Sequence, residues 1–224
     1  VKLSIIVPLL NEAPQLSVLL ASLQHMMRQG DEVILADGGS DDDSVAIAGA
    51  AGFTVVKAPR GRARQMNAGA ARATGQVLLF LHADTRLPEQ AHACVEHALA
   101  NGKHVWGRFD VRISGRAFML RVVGTLMNLR SRLSGIATGD QAMFVTRACF
   151  ESLRGFPDQP LMEDIELSKR LRALSWPACI RRRVTTSGRR WETHGVWRTI
   201  LLMWRLRWAY WRGVPAQKLA DAYR

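Results

Sequence analysis

The chain has 224 residues, 48% of them hydrophobic and 22% charged, a balance that excludes disorder and is enough for one domain with a sizeable core. Its formal net charge of +12 comes almost wholly from arginine and concentrates after residue 100. Such a field calls for an anionic partner: a nucleotide, a phosphorylated acceptor, an anionic membrane or nucleic acid.

Leu3–Val7 is an apolar run closed by Pro8 and reads as a buried parallel strand. Asn11 offers a cap and Pro14 a first-turn residue to a helix with Leu16, Leu19, Leu20 and Leu23 on one face. Val33–Ala36 is a second strand. Gly38-Gly39-Ser40 turns the chain, and Ser40 with three aspartates behind it is a helix start. Phe53–Val56, a small-residue helix over Arg60–Thr74 and the apolar strand Val77–Leu81 follow, and Pro88 opens the next helix. The alternation predicts an α/β fold on a parallel sheet with right-handed crossovers. The second half is less regular. His104–Ile113 reads as an edge or mixed-direction strand, Phe118–Leu133 as a helix, Ala142–Val145 as a strand and Asp164–Leu174 as a helix. Pro177–Thr186 reads as a strand and Val196–Arg212 as an aromatic helix stopped by Gly213 and Pro215. No linker divides the chain, so residues 1–101 and 102–224 are taken as a nucleotide half and an acceptor half of one domain.

Carboxylates stand where strands should end, the place where open α/β sheets bind ligands. Asp37 closes the second strand, and a carboxylate there suits a nucleobase N–H as well as a plain turn. His82-Ala83-Asp84 follows the fourth; hard oxygen ligands there suit Mg²⁺ or Mn²⁺ on a diphosphate, while a cap for the Pro88 helix is the bland alternative. His82 is a second ligand or a hydrogen-bonded imidazole. Glu163-Asp164 opens a late helix after the turn Gly155-Phe156-Pro157, as a cap or as a general base for a hydroxyl acceptor. Arg62 and Arg64 start the third helix, where arginines suit phosphate or base contacts. GxGxxG, GxxxxGK[ST] and GxSxG are absent, against a dinucleotide dehydrogenase, a P-loop NTPase and an α/β-hydrolase.

In order, Ser4-Ile5-Ile6-Val7-Pro8 with Asn11-Glu12, Asp37-Gly38-Gly39-Ser40-Asp41-Asp42, Arg64-Gln65-Met66-Asn67-Ala68-Gly69, His82-Ala83-Asp84, Gly139-Asp140-Gln141 and Met162-Glu163-Asp164 resemble family 2 glycosyltransferases of the GT-A fold, in a short bacterial subgroup without an appended transmembrane domain. The resemblance implies a mostly parallel Rossmann-like sheet and a nucleotide pocket lined by Pro8, Glu12, Asp37, Arg64 and Ala83. It implies a divalent metal, Mg or Mn, at Asp84 with His82, and Asp164 with Glu163 as the inverting catalytic base. It puts Asp140, Gln141, Arg189 and Arg190 on the acceptor side. His82 departs from the first position of the family's DxD motif, and Gly38 from its usual Asp-Asp-Gly-Ser. The processive Gln-x-x-Arg-Trp is absent, with Gly188-Arg189-Arg190-Trp191 only a partial echo, so single-sugar transfer from a nucleoside-diphosphate sugar is expected. The rival readings are a nucleotidyltransferase and a non-catalytic nucleotide-binding relative. No nucleic-acid motif accompanies the basic residues.

The cysteines Cys94, Cys149 and Cys179 have no zinc or redox spacing, and neither a signal peptide nor a spanning segment is apparent. The expected location is therefore cytoplasmic. In Val196–Arg212, Trp197, Trp204, Trp208 and Trp211 share a stripe with Ile200 and Leu201, flanked by Arg198, Arg205 and Arg212. Leu202, Met203 and Leu206 take the far side. Two apolar faces need two partners: the core, and either the inner face of the cell membrane with a lipid-linked acceptor, or internal or homodimer packing.

Overall fold

A computed structural model describes residues 1–223. The first half alternates as expected: β1 (Leu3–Leu9), α1 (Ala13–Arg28), β2 (Glu32–Asp37), α2 (Ser44–Ala50), β3 (Thr54–Lys57), α3 (Arg62–Arg72), β4 (Val77–Phe80), β5 (Thr85–Arg86) and α4 (Ala91–Leu99). The second half adds β6 (Trp106–Ser114), α5 (Phe118–Ser134), a 3₁₀ turn (Gly139–Gln141), β7 (Phe144–Thr146), α6 (Arg147–Ser152), α7 (Glu163–Leu174), β8 (Ala178–Ser187), α8 (Arg189–His194), α9 (Val196–Trp211) and α10 (Ala216–Tyr223).

Among the described residues, one sheet runs β3-β2-β1-β4-β7-β6-β8-β5. β3, β2, β1 and β4 are parallel, and β7 is antiparallel to β4 and β6. Chain order reverses at β1, which lies between β2 and β4, so a crevice opens at their carboxyl ends. The period-two pattern of the strands makes both faces apolar. Ile5, Val7, Leu79 and Leu81 pack with Leu16, Leu19, Leu20 and Leu23 of α1, while Ile6, Leu78 and Phe80 pack with Met66 of α3. Each such buried leucine or isoleucine contributes about 1.5–3 kcal/mol.

Some sequence expectations are corrected. Of the two readings of β6, mixed-direction strand holds, since it is parallel to β8 and antiparallel to β7, while edge strand does not, because residues 178–187 return to cover its free side. Ser40 does not start a helix: its hydroxyl donates to Asp37 Oδ1, and α2 begins at Ser44. Asn11 is no cap for α1; at φ 53° its side chain accepts from the Asp41 amide at 2.9 Å. Pro88 lies before α4, whose N-cap is Gln90. No helix among the described residues is long and apolar enough to cross a membrane.

Candidate active site

The loops after β1 and β2 are laced together. Ser44 Oγ accepts from the Glu12 amide at 2.9 Å, and Asp42 accepts from the amides of Ala13 and Ser44, each at 3.0 Å. Asp37 is buried and accepts from the amides of Gly39 and Ser40, both at 3.1 Å, so it holds the Gly38–Ser40 turn. Gln65 donates to Leu9 O and Ala36 O, at 2.7 and 2.8 Å, tying the ends of β1 and β2. This contact accounts for Gly38: a Cβ there would lie 2.8 Å from Gln65 Cδ. Pro8 and Ala83 are half-buried at the same crevice end, on β1 and just after β4. Glu12 is raised above the usual carboxylate range by burial and by Asp84, against the pull of Arg189.

His82, Asp84 and Asp140 each offer a ligand atom, and these atoms lie within 4.8 Å of one another. His82 Nδ1 stands 3.4 Å from Asp140 Oδ1. Asp84 is exposed and accepts from Thr85 Oγ1 at 3.2 Å; it caps no helix. Burial works against the ionised Asp140, yet the hydrogen bond to His82 and the charges of His82 and Arg62 hold it below the usual range. One imidazole and two carboxylates fit a divalent ion that takes mixed N and O ligands. The sequence had placed Asp140 on the acceptor side; the 3₁₀ turn brings it to His82 instead.

The same turn reaches the acidic pair. The Gly139 amide donates to Asp164 Oδ2 at 2.7 Å, and the Ile165 amide donates to Oδ1 at 2.7 Å. Glu163 is buried and lies 3.5 Å from Arg62 Nη1. Burial and Asp164 push its carboxyl up. Arg62 loses by desolvation but is raised overall by Glu163, Asp164 and Asp140. Met66, Phe80, Met143 and Phe156 form an apolar floor beneath His82, Glu163 and Asp164. Low dielectric there magnifies each charge.

Other candidates fall elsewhere. Arg64 pairs with Asp158 at 2.7 Å on the surface, so Arg62 is the arginine of α3 that faces the acidic pair. Gln141 is fully buried, closing a capping box with Thr138 and donating to Asn128. Arg189 lies near enough to Glu12 to favour its ionised form. Arg190 stacks on Tyr223 at 3.7 Å and donates to its carbonyl at 2.8 Å, anchoring α10. A separate pocket of about 400 Å³ lies between α5 and α9, lined in part by Trp204 of the tryptophan stripe and by Arg130, Lys169 and Arg207, which no motif marked.

The fold and site have counterparts. The glycosyl transferase family 2 profile matches residues 4–160, and the chain belongs to that family. Among solved structures, Staphylococcus aureus TarS residues 1–349 aligns with a TM-score of 0.70 at 17% identity, over 84% of this chain and 61% of that one. The mannosyltransferase PcManGT from Pyrobaculum calidifontis, in complex with GDP-Man and Mn²⁺, aligns at 0.63 and 21%, over 82% and 56%. Glucosyl-3-phosphoglycerate synthase from Mycobacterium tuberculosis, with Mn²⁺, UDP and phosphoglyceric acid, aligns at 0.62 and 21%, over 83% and 69%. The chain thus spans less than two thirds of the first two, and at these identities the likeness is one of fold, the GT-A fold. No curated protein matches the sequence.

Proposed function

We propose that the chain is an inverting glycosyltransferase that moves one sugar from a nucleoside-diphosphate sugar to a hydroxyl acceptor. The observation that carries the reading is the 3₁₀ turn, which joins a metal-competent triad to a carboxylate base: Gly139 holds Asp164 at 2.7 Å, and the next residue, Asp140, stands 3.4 Å from His82. A divalent ion held by His82, Asp84 and Asp140 would offset charge on the departing diphosphate, and the imidazole favours Mn²⁺ over Mg²⁺. Pro8, Glu12, Asp37 and Ala83 line the nucleoside side, Asp37 acting through the turn it holds. Arg62 adds positive charge beside the diphosphate. Arg64 joins it by exchanging its exposed, solvent-screened pair with Asp158. Asp164 takes the acceptor hydroxyl's proton as that oxygen attacks the anomeric carbon; the bond from that carbon to the diphosphate oxygen breaks, and the nucleoside diphosphate leaves. Glu163, pushed up by burial and by Asp164, is held beside the base by Arg62. Residues 1–101 hold the donor and 102–224 the acceptor, within one domain.

The exposed faces of α9 and α5 support a peripheral contact with an anionic membrane surface. Trp197, Trp204, Trp208, Trp211 and Leu201 are all more than 60% exposed, as are Phe118 and Leu133 of α5. Trp and Arg together suit the headgroup region. Ile200 leaves the stripe and packs on Leu120 and Val123.

The test is product analysis with sugar nucleotides and Mn²⁺. Free nucleoside diphosphate is expected, and pyrophosphate would instead mark a nucleotidyltransferase. Asp164→Asn should lower turnover about 10²–10⁴-fold with donor affinity nearly unchanged; a variant that folds and turns over normally refutes the base assignment.

A further inference from the structure

The site above leaves two half-buried cations, Arg130 and Arg207, unused. Arg130 Nε and Nη2 are buried and have no hydrogen-bond partner. Among the described residues, Arg207 makes no hydrogen bond and no ion pair. Both line the pocket of about 400 Å³ between α5 and α9. Burial, then the charge of Arg207, pushes Arg130 down to about 9, and burial lowers Arg207 as well. Asp164 favours both charges from a distance, but its two oxygens are engaged by the amides of Gly139 and Ile165. Two guanidiniums facing one space, one of them with two nitrogens shut off from water and unpaired, form a high-energy arrangement that an entering anion relieves.

We propose that Arg130 and Arg207 form the acceptor's anion subsite, binding a phosphate monoester on the acceptor so that its hydroxyl reaches Asp164. The proposal rests on the transferase reading and names the acceptor class for it. A dianionic phosphoryl group matches two guanidinium forks in charge and geometry. Ile136, Ile165, Trp204, Tyr210 and Trp211 supply the rest of the lining, so the wall takes an organic group attached to the phosphate. Ile165 faces this pocket while Asp164 faces the cleft with His82, so one turn of α7 serves both. Lys169 is held 3.6 Å from Glu166 and over the Tyr210 ring, leaving the two arginines as the free charges.

The phosphate could belong to a soluble acceptor or to a lipid headgroup, and the experiment has an arm for each. Phenyl phosphate is titrated calorimetrically into the full chain, with and without a saturating nucleoside diphosphate and Mn²⁺. In parallel, flotation compares phosphatidylcholine vesicles carrying phosphatidic acid with vesicles carrying equal charge as phosphatidylglycerol. Arg130→Gln and Arg207→Gln are measured beside the wild type, with melting curves to verify folding. In the soluble arm, wild-type binding that persists beside Mn²⁺ and nucleotide and weakens roughly tenfold or more in each variant supports the proposal. In the vesicle arm, a preference for phosphatidic acid that both variants lose supports it and assigns the phosphate to a lipid. Binding that nucleotide displaces, binding that survives both substitutions, or no monoester binding in either arm overturns it. Failure of the nucleotide with Mn²⁺ to bind the wild type would strike the transferase reading instead, and the nucleotide-free titrations still decide the subsite.

Discussion

Gly139→Ala is a sharp perturbation of the junction between the proposed metal triad and the proposed base. A Cβ there would lie 2.2 Å from both Cε1 and Nε2 of His82. Ordinary contact begins near 3.4 Å, so the ring or the turn must retreat by about 1.2 Å. Gly139 has no positive φ, so alanine brings no backbone strain, and removing a glycine lowers the unfolded chain's entropy by the equivalent of about 0.4–1 kcal/mol. Rotating one imidazole is cheap for folding but separates His82 from Asp140. Melting temperature should therefore change little, while affinity for a nucleoside diphosphate measured with Mn²⁺ falls by roughly 10–100-fold, the scale for misplaced metal surroundings. With chelator present, wild type and variant should bind alike. The decisive comparison is a double-mutant cycle: with His82→Ala in place the obstacle is gone, and Gly139→Ala should add nothing. Wild-type affinity in the single variant, or an equal loss in the His82→Ala background, would refute the reasoning.

Two further outcomes are expected. Because burial and Asp164 raise Glu163 above 4.5, its ionisation opposes folding; the stability it lends is full below 4.5 and is lost as pH rises through the folded value. Glu163→Gln should thus melt higher than wild type at neutral pH, with the gap closing below pH 4.5; a gap that widens in acid contradicts the assignment. On vesicles, the protein should float with anionic but not neutral lipid, and Trp204→Glu with Trp208→Glu should abolish it. Equal flotation by that variant would mean that the exposed face of α9 is not the contact.

The first half of the fold was legible because its strands are uninterrupted apolar runs and its helices carry plain periodicity. β6 was harder to place, since what makes it interior is β8, which arrives some seventy residues later. Ser40 and Asn11 have the composition of caps, but other partners claim their side chains: Asp37, three residues back, for Ser40, and the Asp41 amide, thirty residues on, for Asn11. Asp84 and Asp164 could be named from local motifs. Asp140 could not be joined to His82 without knowing that the 3₁₀ turn folds over the end of β4. Arg130 and Arg207 carry no motif: arginines scattered along an amphipathic helix read as a solvated face, and only their shared pocket and the orphaned nitrogens of Arg130 distinguish them. The two faces of α9 were readable from its spacing, apart from Ile200.

Backbone strain follows the same map as the chemistry. Among the described residues, four non-glycines have positive φ: Asn11, Ala142, Arg154 and Met162. Arg154, just past the end of α6, is an ordinary left-handed helix terminus. The other three immediately precede Glu12, close the turn that carries Gly139 and Asp140, and precede Glu163-Asp164. Such residues cost on the order of 1–3 kcal/mol each, and Arg130's orphaned nitrogens add about 1–3 kcal/mol more. Against a typical net stability of about 5–15 kcal/mol these are large sums. Packing does not demand them, since Gly38 shows the chain placing a glycine where a side chain would collide. Each left-handed residue instead turns the backbone where a carboxylate must leave its strand or helix and enter the crevice. The tightness of the core on both faces of β1 and β4 is what offsets these costs, holding Asn11, Ala142 and Met162 in conformations that their own backbones resist and so placing Glu12, Asp140 and Asp164.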